Sequence, residues 1–153
     1  MLGLRIAALA TVLGGCADVS NDVTQNPTQS LNETFFRCKV EPVLITQCSY
    51  NACHGLPDSA LRVYSQGKLR AMPPADSLAA TAPLTDAEHH ANYLSAAGFA
   101  AYGVAPVDNF LLRKPLPASS GGYEHKGGAI YTGTGDANYV AMFQWLNGGT
   151  SCN

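Results

Sequence analysis

One string constrains this chain more than any other. Cys48-Ser49-Tyr50-Asn51-Ala52-Cys53-His54 sets two cysteines with four residues between them and a histidine directly after the second. Two thiols in so short a loop must share one chemistry. A Cys48–Cys53 disulfide is one reading in an oxidising compartment. A zinc site is a poorer one: neighbouring Cys53 and His54 do not easily face one metal tetrahedrally, and no second C-x2-C or H-x3-H pair completes it. A catalytic cysteine needs a base beside it, and nothing in the sequence places one there.

The remaining reading is covalent attachment of one haem c. In the commoner C-x2-C-H string, two thiols bond the porphyrin vinyl groups and the next histidine ligates iron. The order is chemical: the second cysteine fixes the ring edge, so the residue after it reaches the iron from one face. Cys48 and Cys53 are thus expected to hold haem, and His54 to be the proximal ligand.

The N-terminus points to export. Arg5 gives a positive start, and 6–13 is an apolar run too short to span a bilayer, which takes ~20 residues. Leu13-Gly14-Gly15-Cys16 then resembles the bacterial lipobox, with cleavage before a cysteine that becomes acylated; the competing reading is an ordinary secretory signal with Cys16 incidental. Residues 1–15 are read as signal peptide and Cys16 as the lipid anchor. Each buried methylene of such a lipid contributes ~0.8 kcal/mol to membrane binding. Residues 16–33 are read as a tether, rich in Asn, Asp, Thr, Gln and Ser up to Ser30, with a reach of ~20 Å. The domain face is expected in the periplasm or outside the cell. Ala17 after the cysteine mildly favours the outer membrane.

Residues 34–153 fit one domain. Of the 153 residues 46% are hydrophobic and 13% charged, enough for a core. The net charge is −2, with no basic block longer than Arg113-Lys114, which argues against a nucleic-acid partner. Helix signals dominate. Ser30-x-x-Glu33 and Thr85-x-x-Glu88 have the form of capping boxes, the second opening a helix through about Ser95 that stops near Gly98. Pro42 predicts a break or a new start after the first helix. Asp108 is expected to cap a short turn bearing Phe110, Leu111 and Leu112. The last helix starts at Asp136, carries Tyr139, Val140, Met142, Phe143 and Leu146, and ends before Gly148-Gly149. No run reads as a strand. The fold class is mainly α: a small, loop-rich domain.

Cys38 and Cys152 remain once lipid and haem are assigned, and export predicts a disulfide between them, closing a loop worth ~4–5 kcal/mol in the chain-entropy model. For the distal iron position the candidates are His125, Met72, His89, His90 and Met142. His125 sits between Gly121-Gly122 and Gly127-Gly128, where backbone can approach a ring closely. Met72 precedes Pro73-Pro74 but follows His54 by only eighteen residues. His89 and His90 lie on an expected helix, where a solvated or packed role is the plainer one, and Met142 shares a face with Tyr139 and Leu146, which favours core packing.

Phe36-x3-Val40-x-Pro42-Val43-Leu44 followed by Cys48-x4-Cys53-His54-Gly55 resembles the opening of cytochrome c domains common in planctomycetes and myxobacteria. Phe110 to Pro115, His125-Lys126-Gly127-Gly128, then Tyr139 and Trp145-Leu146-x-Gly148 resemble their close, with Lys126 interrupting the glycine run. The four-residue loop between cysteines is also found in some multihaem cytochromes. The resemblance implies a cytochrome c-like helical fold with haem clasped between the first and last helices, and it favours His125 over Met72. The expected function is electron transfer to a redox protein partner, not enzymatic catalysis. A haem enzyme or gas sensor with an open distal site, and a haem-free disulfide-stapled binding module, are the alternatives.

Overall fold

The computed structural model describes residues 31–100 and 104–153. The signal peptide, Cys16, Ser30 and most of the expected tether lie outside the described residues. The protein is mainly α, with five helices joined by long loops and no strand among the described residues. The helices are α1 (33–48), α2 (Ser77–Thr81), α3 (Asp86–Ala97), α4 (Phe110–Arg113) and α5 (Ala137–Leu146).

The start of α1 is set by Asn32, whose side chain accepts from the Phe35 amide at 2.7 Å. Leu31 and Asn32 already belong to the folded body: the Leu31 carbonyl accepts from the Tyr93 hydroxyl and that of Asn32 from Trp145 Nε1. Pro42 does not break the helix. A π-helical turn, Phe36–Val40, widens it just before Glu41–Val43, so the proline stands where a new α-helical register opens. There its missing N–H removes no established bond. A second π turn, Leu44–Cys48, delivers Cys48 at the helix end.

The apolar face of α1 packs on α5. Phe36 and Trp145 are fully buried, their ring centres 5.1 Å apart, and Tyr93 of α3 meets both edge-on at 5.7 and 6.2 Å. Truncating such an aromatic anchor typically costs about 3–5 kcal/mol. Met142 is buried in the same core. The polar face of α1 meets α3. Arg37 pairs with Asp86 at 2.8 Å, Glu33 with His90 at 3.0 Å, and buried Glu41 with His89 at 2.7 Å and Asn92 at 2.8 Å. His89 and His90 are therefore held by carboxylates.

The capping signals resolve unevenly. Thr85 and Glu88 form the reciprocal capping box of α3, and Gly98 follows its last turn. Asp136 caps α5, and Gly148 takes a positive φ of 82° just past it. Asp108 does not cap α4. It ends a 3-10 turn, and its neighbour Asn109 caps instead, accepting from the Leu111 amide at 2.9 Å while buried. An uncharged cap is the cheaper group to bury.

Between α1 and α3 the chain is organised by one ion pair. Glu88 takes both Nε and Nη2 of Arg70 at 2.9 Å, and both side chains are almost fully buried. Arg70 also donates to the carbonyls of Ala79, Ala80, Ala82 and Pro83, closing the end of α2. This guanidinium holds the Glu88 carboxyl down at about 2, against an ordinary value of 4.5. The C-terminus is tied back covalently: Gly149 leaves α5 against Phe35, and Cys152 forms the expected disulfide with Cys38, Cα atoms 6.0 Å apart.

Two expectations follow. A carboxyl with a depressed folded value stabilises the fold above its unfolded value and loses that contribution as pH falls. Glu88 should thus supply about 3 kcal/mol at neutral pH that disappears between pH 4.5 and about 2. Glu88→Gln should flatten that part of the stability–pH curve in chemical denaturation; an unchanged acid limb would contradict the assignment. Because the Cys38–Cys152 bond closes a separation of 114 residues, its reduction should lower stability by up to ~5 kcal/mol. Urea midpoints with and without reductant measure this.

Candidate functional site

The end of α1 turns back on itself through the cysteine loop. The His54 amide donates to the Cys48 carbonyl at 3.2 Å, and the Cys53 and Gly55 amides both donate to that of Tyr50. Glycine is required at 55, since a Cβ there would stand 2.3 Å from the Ser49 carbonyl oxygen. Cys48 and Cys53 are free thiols, the first partly buried and the second exposed. Burial, and then the neighbouring Cys53, push the Cys48 thiol up to about 11, so it stays protonated at neutral pH. Tyr131 is buried near Cys48; burial first, and Cys48 next, raise its hydroxyl above the ordinary range.

His54 is clamped by the following segment. Its carbonyl accepts from the Val63 amide at 2.8 Å, and its Nδ1 donates to the Leu61 carbonyl at 2.8 Å. That segment is sutured to α3: the Arg62 amide donates to Ser95 Oγ, and the Tyr64 amide to Asn92 Oδ1 at 2.7 Å. Burial lowers the His54 pKa, while the Leu61 bond opposes the shift and His125 adds to it. With the proton on Nδ1, the ring is neutral and Nε2 presents its lone pair, the form in which imidazole binds a metal.

His125 arrives from the other end of the chain. Its loop is placed by Tyr123, whose amide donates to the Arg113 carbonyl at 2.8 Å, and by Gly122, where a Cβ would strike the Leu116 carbonyl. Nδ1 of His125 donates to the Gly128 carbonyl at 3.3 Å. Gly127 lies against the ring, since a Cβ there would be 2.9 Å from Cε1. The result is a pair: the His54 and His125 rings are nearly parallel, 11° between planes, with centres 6.1 Å apart.

Of the other distal candidates, Met72 is 76% exposed on its loop, Met142 is core, and His89 and His90 are engaged with Glu41 and Glu33. The sequence brought forward Cys48, Cys53, His54 and His125, but not the Leu61 carbonyl, Tyr131 or Asn92. A backbone carbonyl carries no residue signal, and Tyr131 and Asn92 act across long sequence separations. No cluster of three or more His, Cys, Asp or Glu side chains is arranged around a common metal position among the described residues. No helix among them is long and apolar enough to cross a membrane. No protein-family model, curated protein or solved structure matches this chain.

The two glycines make separable predictions. Gly127→Ala should displace the His125 ring and abolish inter-ring nuclear Overhauser contacts with His54, while changing stability by less than about 1 kcal/mol. Gly55→Ala meets rigid backbone, and should lower stability by roughly 1–3 kcal/mol in denaturant titration. Retained inter-ring contacts in the first variant would contradict the cradle.

Proposed function

We propose that this chain is a c-type cytochrome that carries one covalently attached haem c and passes electrons to a redox protein partner. The observation that carries this reading is the His54–His125 pair, parallel at 6.1 Å with each Nδ1 committed to a backbone carbonyl. His54 and His125 would hold the iron through Nε2, the nitrogen left over when each Nδ1 is committed to a backbone carbonyl. The donor set therefore fits a bis-histidine iron centre, and the free thiols of the same loop fit thioether attachment. Haem, when bound, supplies a one-electron iron couple.

The chain's own residues do the rest. Cys48 and Cys53 hold the group on a loop that cannot swing, because its amides are spent on its own carbonyls. Leu61 fixes the tautomer and orientation of His54 and raises its basicity as a ligand. Gly127 and Gly128 give the same service to His125. Two imidazoles donate to ferric iron better than an imidazole and a thioether, which favours a lower potential than His/Met ligation would give. Attachment to a membrane through lipid on Cys16, facing the periplasm from the outer membrane, belongs to the same reading, as does an oxidising compartment for the Cys38–Cys152 bond.

The test is periplasmic expression of the full chain with the cytochrome c maturation machinery. The expected product bears one haem that survives denaturing electrophoresis, shows a low-spin spectrum without the ~695 nm methionine band, and does not bind carbon monoxide. Cys48→Ala/Cys53→Ala should lose the covalent haem. His125→Ala should turn the iron high-spin and admit carbon monoxide, and Met72→Ala should change nothing. Carbon monoxide binding by the unmutated protein would favour a haem enzyme or gas sensor, and a haem-free product would favour a binding module.

A further inference from the structure

A cavity of about 460 Å³ opens beside the cysteine loop, on the segment that follows His54. Pro57, Arg62, Tyr64, Lys68, Arg70 and Pro73 are among its walls, and no carboxylate is. Its size suits a small molecule, since ligand clefts run from about 300 to 1,000 Å³.

Three cations line it, and they are not equivalent. Arg70 is neutralised by Glu88. Arg62 and Lys68 take part in no ion pair among the described residues. Arg62 donates one Nη1 bond to the Pro57 carbonyl, and its Nε is buried without an acceptor. Its guanidinium stands 5.3 Å from the Tyr64 ring centre. Lys68 gives one bond to Ser49 Oγ at 2.9 Å, and its ammonium lies 4.2 Å from the Tyr50 ring centre. Both charges are thus held in place by aromatic rings and single hydrogen bonds, with donors left over. Arg62 and Lys68 thus both line the cavity with no carboxylate to pair with.

We infer that this cavity is a binding site for a small dianionic oxyanion ligand, a phosphate or a dicarboxylate, held between Arg62 and Lys68. Charge-assisted bonds from a preplaced guanidinium and ammonium are the strong kind, and two negative charges match the two that lack partners. The site is independent of the haem reading and requires no cofactor. It also adjoins it: Arg62 follows Leu61, whose carbonyl holds His54 Nδ1.

Isothermal titration of the full chain at constant ionic strength, about 0.15 M, tests this with inorganic phosphate, succinate and chloride as separate titrants. The expected result is saturable binding of phosphate or succinate with a Kd of about 1 mM or tighter, and none of chloride. Preference between the two assigns the ligand to the phosphate or the dicarboxylate class. Arg62→Gln and Lys68→Met, each checked for folding by circular dichroism, should each weaken binding by about tenfold or more. Arg113→Gln, outside the cavity, should leave it unchanged. No binding beyond chloride, binding that survives in both cavity variants, or equal loss in Arg113→Gln would overturn the proposal. Because the titration reads heat and not haem, its failure leaves the cytochrome reading standing, and the reverse also holds.

Discussion

The fold rests on the burial of Trp145 against Phe36. These two rings join the first helix to the last, and Tyr93 brings α3 onto the same contact. Everything at the site is carried by those helices or hung between them. Cys48 is the last residue of α1, so the position of the cysteine loop is set by where that helix is pinned. The clasp is reinforced at the same end of the molecule: Trp145 donates to the Asn32 carbonyl, Gly149 lies against Phe35, and Cys152 bonds Cys38. A loop-rich domain of this size buries a small core, and a covalent tie between its chain ends stabilises it where extra apolar area is lacking.

The long tract between α1 and α3 has little secondary structure to satisfy its backbone. Buried side chains do so instead. Arg70 accepts the role of a helix cap for α2, while Asn92 bonds both the amide and the carbonyl of Tyr64. Glu88 serves at once as capping-box residue of α3 and as counter-ion of Arg70. Removing one partner of such a pair would leave the other charge without its counter-ion. The chain that orients His54 thus runs from Glu41 through Asn92 and Tyr64 to the segment carrying Leu61. An irregular loop is made rigid here by a short series of polar contacts.

What could be read from the sequence was what depends on near neighbours. The Thr85–Glu88 box, the Asp136 cap and the glycine after α5 are local signals, and all stand in the structure. The mainly helical class follows from them and from the apolar spacing. The disulfide was reachable because only two cysteines lacked another role. Pro42 does mark a new start, at the opening of the Glu41–Val43 register, but the five-residue π turn that keeps the helix continuous there leaves no mark in composition. Asp108 yielded to Asn109 because the cap is buried, and burial depends on tertiary contacts. At the site, the four chemical side chains were visible as residue types in a string or beside glycines. The carbonyl of Leu61 and the buried Tyr131 near Cys48 were not, since what they contribute is position.

One physical cause runs through the electrostatics of the site. Burial raises the Cys48 thiol and the Tyr131 hydroxyl and lowers His54, and in every case it favours the neutral form. A wall of this kind stabilises no charge of its own. On the proposed reading it has a consequence for the iron couple. Low-dielectric surroundings disfavour the state of higher net charge, the ferric one, and push the potential upward. Ligation by two neutral imidazoles, on the same reading, would push it downward. The two effects would oppose each other, and the hydrogen bond from His54 to Leu61 would add to the second by raising ligand basicity. The potential would then depend more on the backbone carbonyl behind His54 than on any charged residue, because no carboxylate or cation stands in an ion pair with either ring among the described residues. The same carbonyl precedes Arg62, so a dianion bound in the neighbouring cavity would act on the ligand through one peptide unit.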